Sequence, residues 1–560
     1  MNFKPTQNSW TKKAAAVCMA AALGITAVPA PVLAESSYQE TEKAALTKAI
    51  EDFAKSYAVS LEEYDALKDG IKADISLTLD DAGRSLLAFV VPTDMSWFNE
   101  LKLSSDISMA KGSQIMSAGL FLNDTQICTL NYYFDLENMD IYMEIPELRE
   151  GYIKVNYTEA MAAQEAMIEE QAAALEEQSE ALDEQADTSE DTDSAEAFDT
   201  EAYNAFMKEY MAIVSDLPAF MPESDVIEEL LNKYGTILLD HTTELPAAQE
   251  TLTLGSISQE CTVYEGQLNG AAATEMAQEI LDTAKTDETL QTLLESWDEQ
   301  LPDTENLYQS FLDAIEEGTE DLAEAEADDT SYIASKIYVT EDGEITGRLL
   351  STCEGDTATP IISWQTLKNG DAFEYLFSIG SDDDVLSLTG NGQITDGKLN
   401  GTYELSSNDT PAATVEVTNY DTESEKEGRL NGSYKVTLIA DETDESSVSL
   451  QNFALLMDIA DAGTTGTIDM SLTSGGSSLG HLIMESSMGG AAVEAPAADA
   501  LTNAFDAMDE NSMTEYMTTV TLDTILENLV SAGVPQELIT QILSGGTDTS
   551  SGEMADESAE

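Results

Sequence analysis

The chain has 560 residues, of which 108 are Asp or Glu against 23 Lys or Arg, giving a formal net charge of −85 at pH 7. A field of that sign repels nucleic acid and anionic lipid headgroups, so neither nucleic-acid binding nor stable binding to anionic membranes is expected. The 42% hydrophobic fraction is that of a chain with a core, so the charge reads as a solvated face on a soluble monomer that binds divalent cations weakly.

Residues 1–34 have the pattern of a secretory signal peptide. Lys4, Lys12 and Lys13 precede an apolar run from Ala14 to Val28, and Val32, Leu33 and Ala34 form a small-residue cleavage site. The run is too short for a spanning helix. Cys18 lacks the Leu and small residue that a lipobox places before its cysteine, so the expected product is secreted or held in the cell envelope without a lipid anchor. Cys128, Cys261 and Cys353 remain, an odd number in widely spaced strand-like stretches. They read as buried thiols and not as a disulfide scaffold, although one disulfide with one free thiol is also compatible with the count.

After the signal, Leu46, Ile50, Phe53 and Tyr57 form a helical stripe, and Ser60 with Glu63 reads as a capping box that opens a second short helix toward Gly70. The period then changes to two. Residues 71–80 alternate without interruption, as do Leu103, Ser105, Ile107 and Met109, and again Met139, Ile141, Met143 and Ile145. Such alternation predicts long antiparallel strands with one wet face. Residues 158–197 hold no Lys or Arg and dissolve into Ser, Thr and acid, the composition of an acidic helix running into a disordered linker, or of a thin coiled coil. Helical spacing returns through 198–326 (Tyr203, Phe206, Tyr210 and Val214; Val226, Leu230 and Tyr234; Leu290, Leu293, Leu294 and Trp297), with a short hairpin at 251–265.

From 327 to 490 strands dominate. Asn369-Gly370, Asn391-Gly392, Asp396-Gly397, Asn400-Gly401 and Asn431-Gly432 read as hairpin turns. A unit repeats here: Gly397, Leu399, Asn400, Gly401 and Tyr403 return 31 residues later as Gly428, Leu430, Asn431, Gly432 and Tyr434. Two copies suit an extended meander and are too few for a solenoid. Helices are expected over 491–546, before a disordered acidic tail at 547–560. The remaining block, 35–157, combines the N-terminal helices with the first meander.

Two stretches carry a resemblance. Residues 251–264, followed by a helix and by Lys285, Thr286 and Asp287, resemble a segment common in exported proteins of anaerobic Gram-positive (Firmicutes) bacteria, as do residues 139–155. The layout of those proteins, whose functions are largely unknown, is similar to the LolA/LppX-type half-barrel. The resemblance implies a long curved antiparallel sheet with helices on its concave face, and an apolar cavity that carries lipid in some relatives. It transfers no functional residue.

Catalytic constellations are scarce. Gly476, Ser478 and Gly480 formally match a nucleophile elbow with His481 behind it, but strand-like flanks place 475–480 in a hairpin loop, and so near a His is poorly placed to deprotonate Ser478. With only His241 and His481, and no C-x-x-C pair, no cofactor or dedicated metal site is expected. His241 reads as a cation at a helix C-terminus. The acid runs at 382–384 and 441–444 lack a calcium-loop pattern.

The sequence therefore predicts an α+β protein: a long curved antiparallel sheet, half-barrel-like, with helices packed on its apolar face. Its expected function is non-enzymatic binding of a hydrophobic, lipid-like molecule between sheet and helices. Ile75, Leu77, Leu103, Ile107, Ile141, Met143 and Trp297 are the expected pocket lining. The alternatives are a structural or interaction protein with a closed core, and a glycan-active enzyme built on converging carboxylates.

Overall fold

The computed structural model describes residues 37–66, 69–90, 94–110, 112–160, 220–299, 306–324, 331–355, 357–381, 384–439, 453–490 and 493–543. The expected signal segment, most of the acidic stretch at 158–197, the expected helix at 203–214 and the acidic tail lie outside them. The fold is α+β on largely antiparallel pairing, as the alternating stretches imply.

In chain order the strands are β1 (Ile71–Leu79), β2 (Glu100–Ala110), β3 (Ser113–Leu122), β4 (Thr125–Asp135), β5 (Asp140–Glu144), β6 (Ile153–Asn156), β7 (Thr243–Glu244), β8 (Ala248–Leu254) and β9 (Ile257–Asn269). They continue as β10 (Ser331–Thr340), β11 (Ile345–Glu354), β12 (Thr357–Asn369), β13 (Ala372–Ser381), β14 (Asp384–Thr395), β15 (Lys398–Ser407), β16 (Thr410–Asp421), β17 (Gly432–Leu438), β18 (Phe453–Asp461), β19 (Thr465–Ser474), β20 (Ser477–Met488) and β21 (Phe505–Asp506). The chain forms two compact units that do not follow the contiguous blocks read from the sequence. The first comprises residues up to 66 and 212–476; the second comprises 67–211 and 477 onward.

In the first unit β8 to β19 pair consecutively, and β7 also pairs with β9. Tight turns make this possible: Asp396-Gly397 and Asn408-Asp409 take positive φ at both positions, the backbone a two-residue hairpin needs. The N-terminal helix runs unbroken from Tyr38 to Ala66. This corrects the expected second helix, because Ser60 donates back to the Ser56 carbonyl at 3.2 Å instead of capping a new start. Leu46 and Ile50 of its stripe pack with Ile237, Leu238 and Leu239 of the helix Ser224–Asp240, and with Leu268, Ile333 and Leu350 of the sheet. Ala45 joins Val339, Ile345 and Trp364 in an adjoining cluster. Asp287 caps the helix Glu288–Asp298, accepting from the Thr289 and Leu290 N–H groups. On the opposite face the β8–β9 hairpin folds over, so that Leu252, Cys261 and Val263 bury Leu367.

In the second unit β20 pairs with β1, and β1 to β6 follow in sequence, with β21 parallel to β6. The helix Asp81–Val90 leaves β1 and returns along β20, where Gly83 has no room for a side chain beside the Leu479 carbonyl. The helices Asp523–Ser531 and Gln536–Leu543 close one end over Leu122 and Ile127.

Three of the five expected turns are not turns. Asn391-Gly392 lies inside β14, Asn400-Gly401 inside β15, and Gly432 opens β17 after the short helix Thr422–Glu425; Asn369-Gly370 and Asp396-Gly397 alone join two consecutive strands as tight turns. The strand glycines serve packing. A Cβ on Gly390 would stand 2.3 Å from the Tyr403 ring, one on Gly392 2.8 Å from the Phe373 ring, and one on Gly432 3.3 Å from the Tyr420 side chain. Aromatic rings lying over glycine restore the surface that glycine fails to cover.

Candidate functional site

Register defines one apolar face in the first unit. Phe377 stands opposite Leu388, which faces Leu405, then Ala413, then Leu438. In the next row Tyr375 is followed by Gly390, Tyr403, Val415, Val436, Leu455 and Leu472, each opposite its neighbour. A third row runs Phe373, Gly392, Gly401, Val417, Tyr434, Met457 and Met470. At the β9–β12 end this side of the sheet lies beneath the N-terminal helix, and there Val339 and Leu350 are only 1% and 2% exposed. Further along, Ile379, Leu386, Leu438, Leu455 and Leu472 are exposed. Among the described residues the face is covered at one end and bare at the other.

The repeated unit builds an aromatic corner on this face. Asn419, at φ 56, is the extra residue of a bulge in β16, and Asn400 Oδ1 accepts its N–H at 2.9 Å. The bulge keeps Tyr420 in phase with Leu399, and therefore on the side of Tyr403. In the second copy Asn431 bridges to the next strand without a bulge, accepting from Asp461 N–H at 2.6 Å and donating to its carbonyl at 2.9 Å. Tyr403 meets Tyr375 edge-on at 5.9 Å and Phe373 at 6.4 Å, and Tyr420 meets Tyr434 edge-on at 6.4 Å.

Glu425 stands over these rings on the short helix Thr422–Glu425. Asp421 caps that turn and is held by Lys398 at 2.7 Å, which brings its carboxyl down to about 2. Desolvation among the tyrosines pushes the Glu425 carboxyl above the usual range, against the hydrogen bond it takes from Tyr420, although its outer edge stays exposed. Desolvation, with Tyr375 and Glu425 beside it, pushes Tyr403 up to about 12; Tyr420 and Tyr434 are raised by the same causes, desolvation first and Glu425 second.

Beneath the N-terminal helix the face holds one buried ion pair, Glu42 with Arg348, both under 10% exposed. Arg348 Nη1 donates to Glu42, while Nε and Nη2 are buried without a partner. Tyr38 lies alongside, hydrogen-bonded to Ser335, and desolvation raises its hydroxyl far above the ordinary range. Neither this pair nor the aromatic corner was anticipated from the sequence. The Leu-Asn-Gly-x-Tyr repeat was the available signal for the corner.

Six of the seven residues expected to line a pocket share one face of the second unit. Ile75 lies opposite Leu103, Leu77 opposite Leu101, and Ile71 opposite Ile107. The row from Ile107 continues through Met116 and Tyr132 to Met143, and Ile141 faces Phe134. Ile75, Leu77, Leu101 and Leu103 are 41%, 39%, 38% and 41% exposed, so among the described residues this end of the face is a bare strip, whereas Ile107 is half-buried and Ile141 packs against the buried Phe134, Leu136 and Met139. Trp297 is the exception. It belongs to the first unit, on the helix Glu288–Asp298, and its indole donates to the Phe220 carbonyl at 2.8 Å.

The serine string does not form a triad. Only Gly475 and Gly476 lie outside strands, so Ser478 sits in β20 instead of a loop. Its Oγ is 3.5 Å from His481 Nε2, and Asp80 approaches that same nitrogen at 4.0 Å. A relay needs the acid on the other ring nitrogen. His241 does cap the helix Ser224–Asp240 at its C-terminus and contacts Glu279 at 2.7 Å. Cys128, Cys261 and Cys353 are unbridged and lie in β4, β9 and β11; burial raises the first two thiols. Among the described residues no His, Cys, Asp and Glu cluster is arranged to hold a metal, and no helix is long and apolar enough to cross a membrane. The runs at 382–383 and 441–444 lie outside those residues.

No family model, curated protein or solved structure matches this chain.

Proposed function

We propose that this chain is a non-catalytic binding protein that holds a hydrophobic molecule against the bare apolar rows of its sheets. One observation carries the reading: Ile75, Leu77, Leu101 and Leu103 form a contiguous patch in which each residue is 38–41% exposed, whereas helix-covered sheet residues such as Val339 are 1% exposed. A soluble chain keeps large aliphatic groups together in water where a partner or ligand covers them. In the first unit Leu455 and Leu472 repeat the pattern as an opposed, exposed pair. Methionines at 116, 143, 457, 470 and 484 supply adaptable contacts on the same faces. The closed-core alternative asks for these rows to be covered.

Titration with the neutral dye N-phenyl-1-naphthylamine tests the reading. Saturable uptake is expected, and Leu77→Ser with Leu103→Ser, or Leu455→Ser with Leu472→Ser, should weaken it about fivefold, the scale of removing part of a buried aliphatic contact of roughly 1 kcal/mol. These side chains are already half in water, so the substitutions should leave the fold intact. Non-saturable uptake, or no change in either double variant, would contradict the reading.

A further inference from the structure

The aromatic corner of the first unit says what the polar end of such a molecule should be, and this inference rests on the hydrophobic-binding reading above. Tyr403, Tyr420 and Tyr434 lie on the apolar side of the sheet, Tyr420 edge-on to Tyr434, and Glu425 reaches them from the short turn Thr422–Glu425, where it accepts from the Tyr420 hydroxyl. The neighbouring basic residues are committed elsewhere: Lys426 binds Glu423 at 2.8 Å, Lys398 binds Asp421 at 2.7 Å, and Arg429 contacts Glu427 at 3.3 Å. Among the described residues Glu425 forms no ion pair; its hydrogen-bond partner is the Tyr420 hydroxyl, and the Lys426 charge acts on it only from beyond contact.

The rings are fixed rather than adaptable. Gly390 and Gly401 clear the space that Tyr403 and Phe373 occupy, Gly432 does so for Tyr420, and the Asn400 and Asn431 side chains lock the neighbouring backbone. Preset electron-rich faces with a carboxylate among them suit an organic cation, which they attract through the ring quadrupoles and the charge together. An anionic headgroup meets the opposite: Glu425 itself, and a chain of formal charge −85. From Tyr403 the apolar row continues through Val415 and Val436 to the exposed Leu455 and Leu472. Four strand spacings of about 4.8 Å give roughly 19 Å, the reach of a long alkyl chain.

We propose that the Tyr403, Tyr420, Tyr434 and Glu425 corner binds the cationic headgroup of an amphiphile, a quaternary ammonium or protonated amine, whose alkyl chain lies along Val415, Val436, Leu455 and Leu472. The nearest other account of the corner is that its rings only cover strand glycines; that role asks for no carboxylate and implies no preference among headgroups.

Isothermal titration of the full chain with dodecyltrimethylammonium, dodecyl maltoside and dodecanoate, each below its micellar concentration, separates the two. The trimethylammonium ligand should bind about tenfold tighter than the maltoside, with dodecanoate weakest, the scale of one or two desolvated cation–π contacts. Glu425→Gln should remove that preference, while Asp342→Asn, the same charge change on the exposed β10–β11 turn, should keep it. Tyr403→Leu should reduce the preference and Tyr403→Phe retain it, since both keep an apolar side chain over Gly390. Equal affinity for all three ligands, tightest binding of dodecanoate, or a Glu425→Gln protein that still prefers the cation would each overturn the headgroup assignment and leave the hydrophobic reading standing. Binding of none of the three would remove the hydrophobic reading itself.

Discussion

Replacing Glu42 by leucine should destabilise the first unit by about 3–5 kcal/mol, the cost of leaving a buried charge without its partner. Arg348 is 5% exposed, and two of its nitrogen donors already lack partners, so Glu42 is its counter-charge inside the apolar face. Arg348→Met should cost less, because an orphaned carboxyl can neutralise by taking up a proton whereas a guanidinium cannot release one. The double variant, Glu42→Leu with Arg348→Met, should recover most of the loss and approach or exceed the parent. Urea unfolding followed by tryptophan fluorescence reads this directly, since Trp364 is buried in the cluster with Ala45, Val339 and Ile345. A single-variant cost below about 1 kcal/mol would mean that the guanidinium is solvated and that the pair does not seat the N-terminal helix.

Substitution at Gly392 should be the sharpest test of the strand glycines. A Cβ there would stand 2.3 Å from the Asn400 carbonyl oxygen and 2.7 Å from the Gly401 Cα, and backbone atoms cannot rotate away. Gly392→Ala is expected to cost about 1–3 kcal/mol through forced separation of β14 from β15. It should also alter the near-ultraviolet circular dichroism of the rings over that site. Gly370 offers the contrast. It has positive φ and open space around the missing side chain, so Gly370→Ala should cost about 1 kcal/mol from backbone conformation alone, with no spectral change. Equal costs and unchanged spectra at both sites would refute the packing role.

These two sites mark where the sequence was legible and where it was not. The strand Ile71–Leu79 was readable because alternation is local, and the same signal put Ile75, Leu77, Leu103, Ile107, Ile141 and Met143 on one face. Pairing between distant strands has no local signature. Nothing in residues 477–488 announces that β20 lies beside β1, or that the helix Tyr38–Ala66 belongs with residues 212–476 and not with the strands that follow it. Trp297 shows the same limit: its helical stripe announces a buried face but not the partner that buries it, here the Phe220 carbonyl. Asn391-Gly392, Asn400-Gly401 and Asn431-Gly432 failed as turns for another reason. Glycine is equally at home at positive φ and beneath an aromatic ring, and only the register of Phe373 and Tyr403 decides between them. The repeat around Tyr403 and Tyr434 was visible as a pattern, yet its carboxylate, Glu425, arrives from a short capped turn between the two copies.

The proposed seating of a hydrophobic molecule on the bare apolar rows is open to native mass spectrometry of the purified full chain, before and after extraction with organic solvent and after re-addition of a long-chain alkyl ligand. The expected result is a mass excess from a bound hydrophobic species that extraction removes and a single class of added ligand restores. Identical masses in all three states would contradict it.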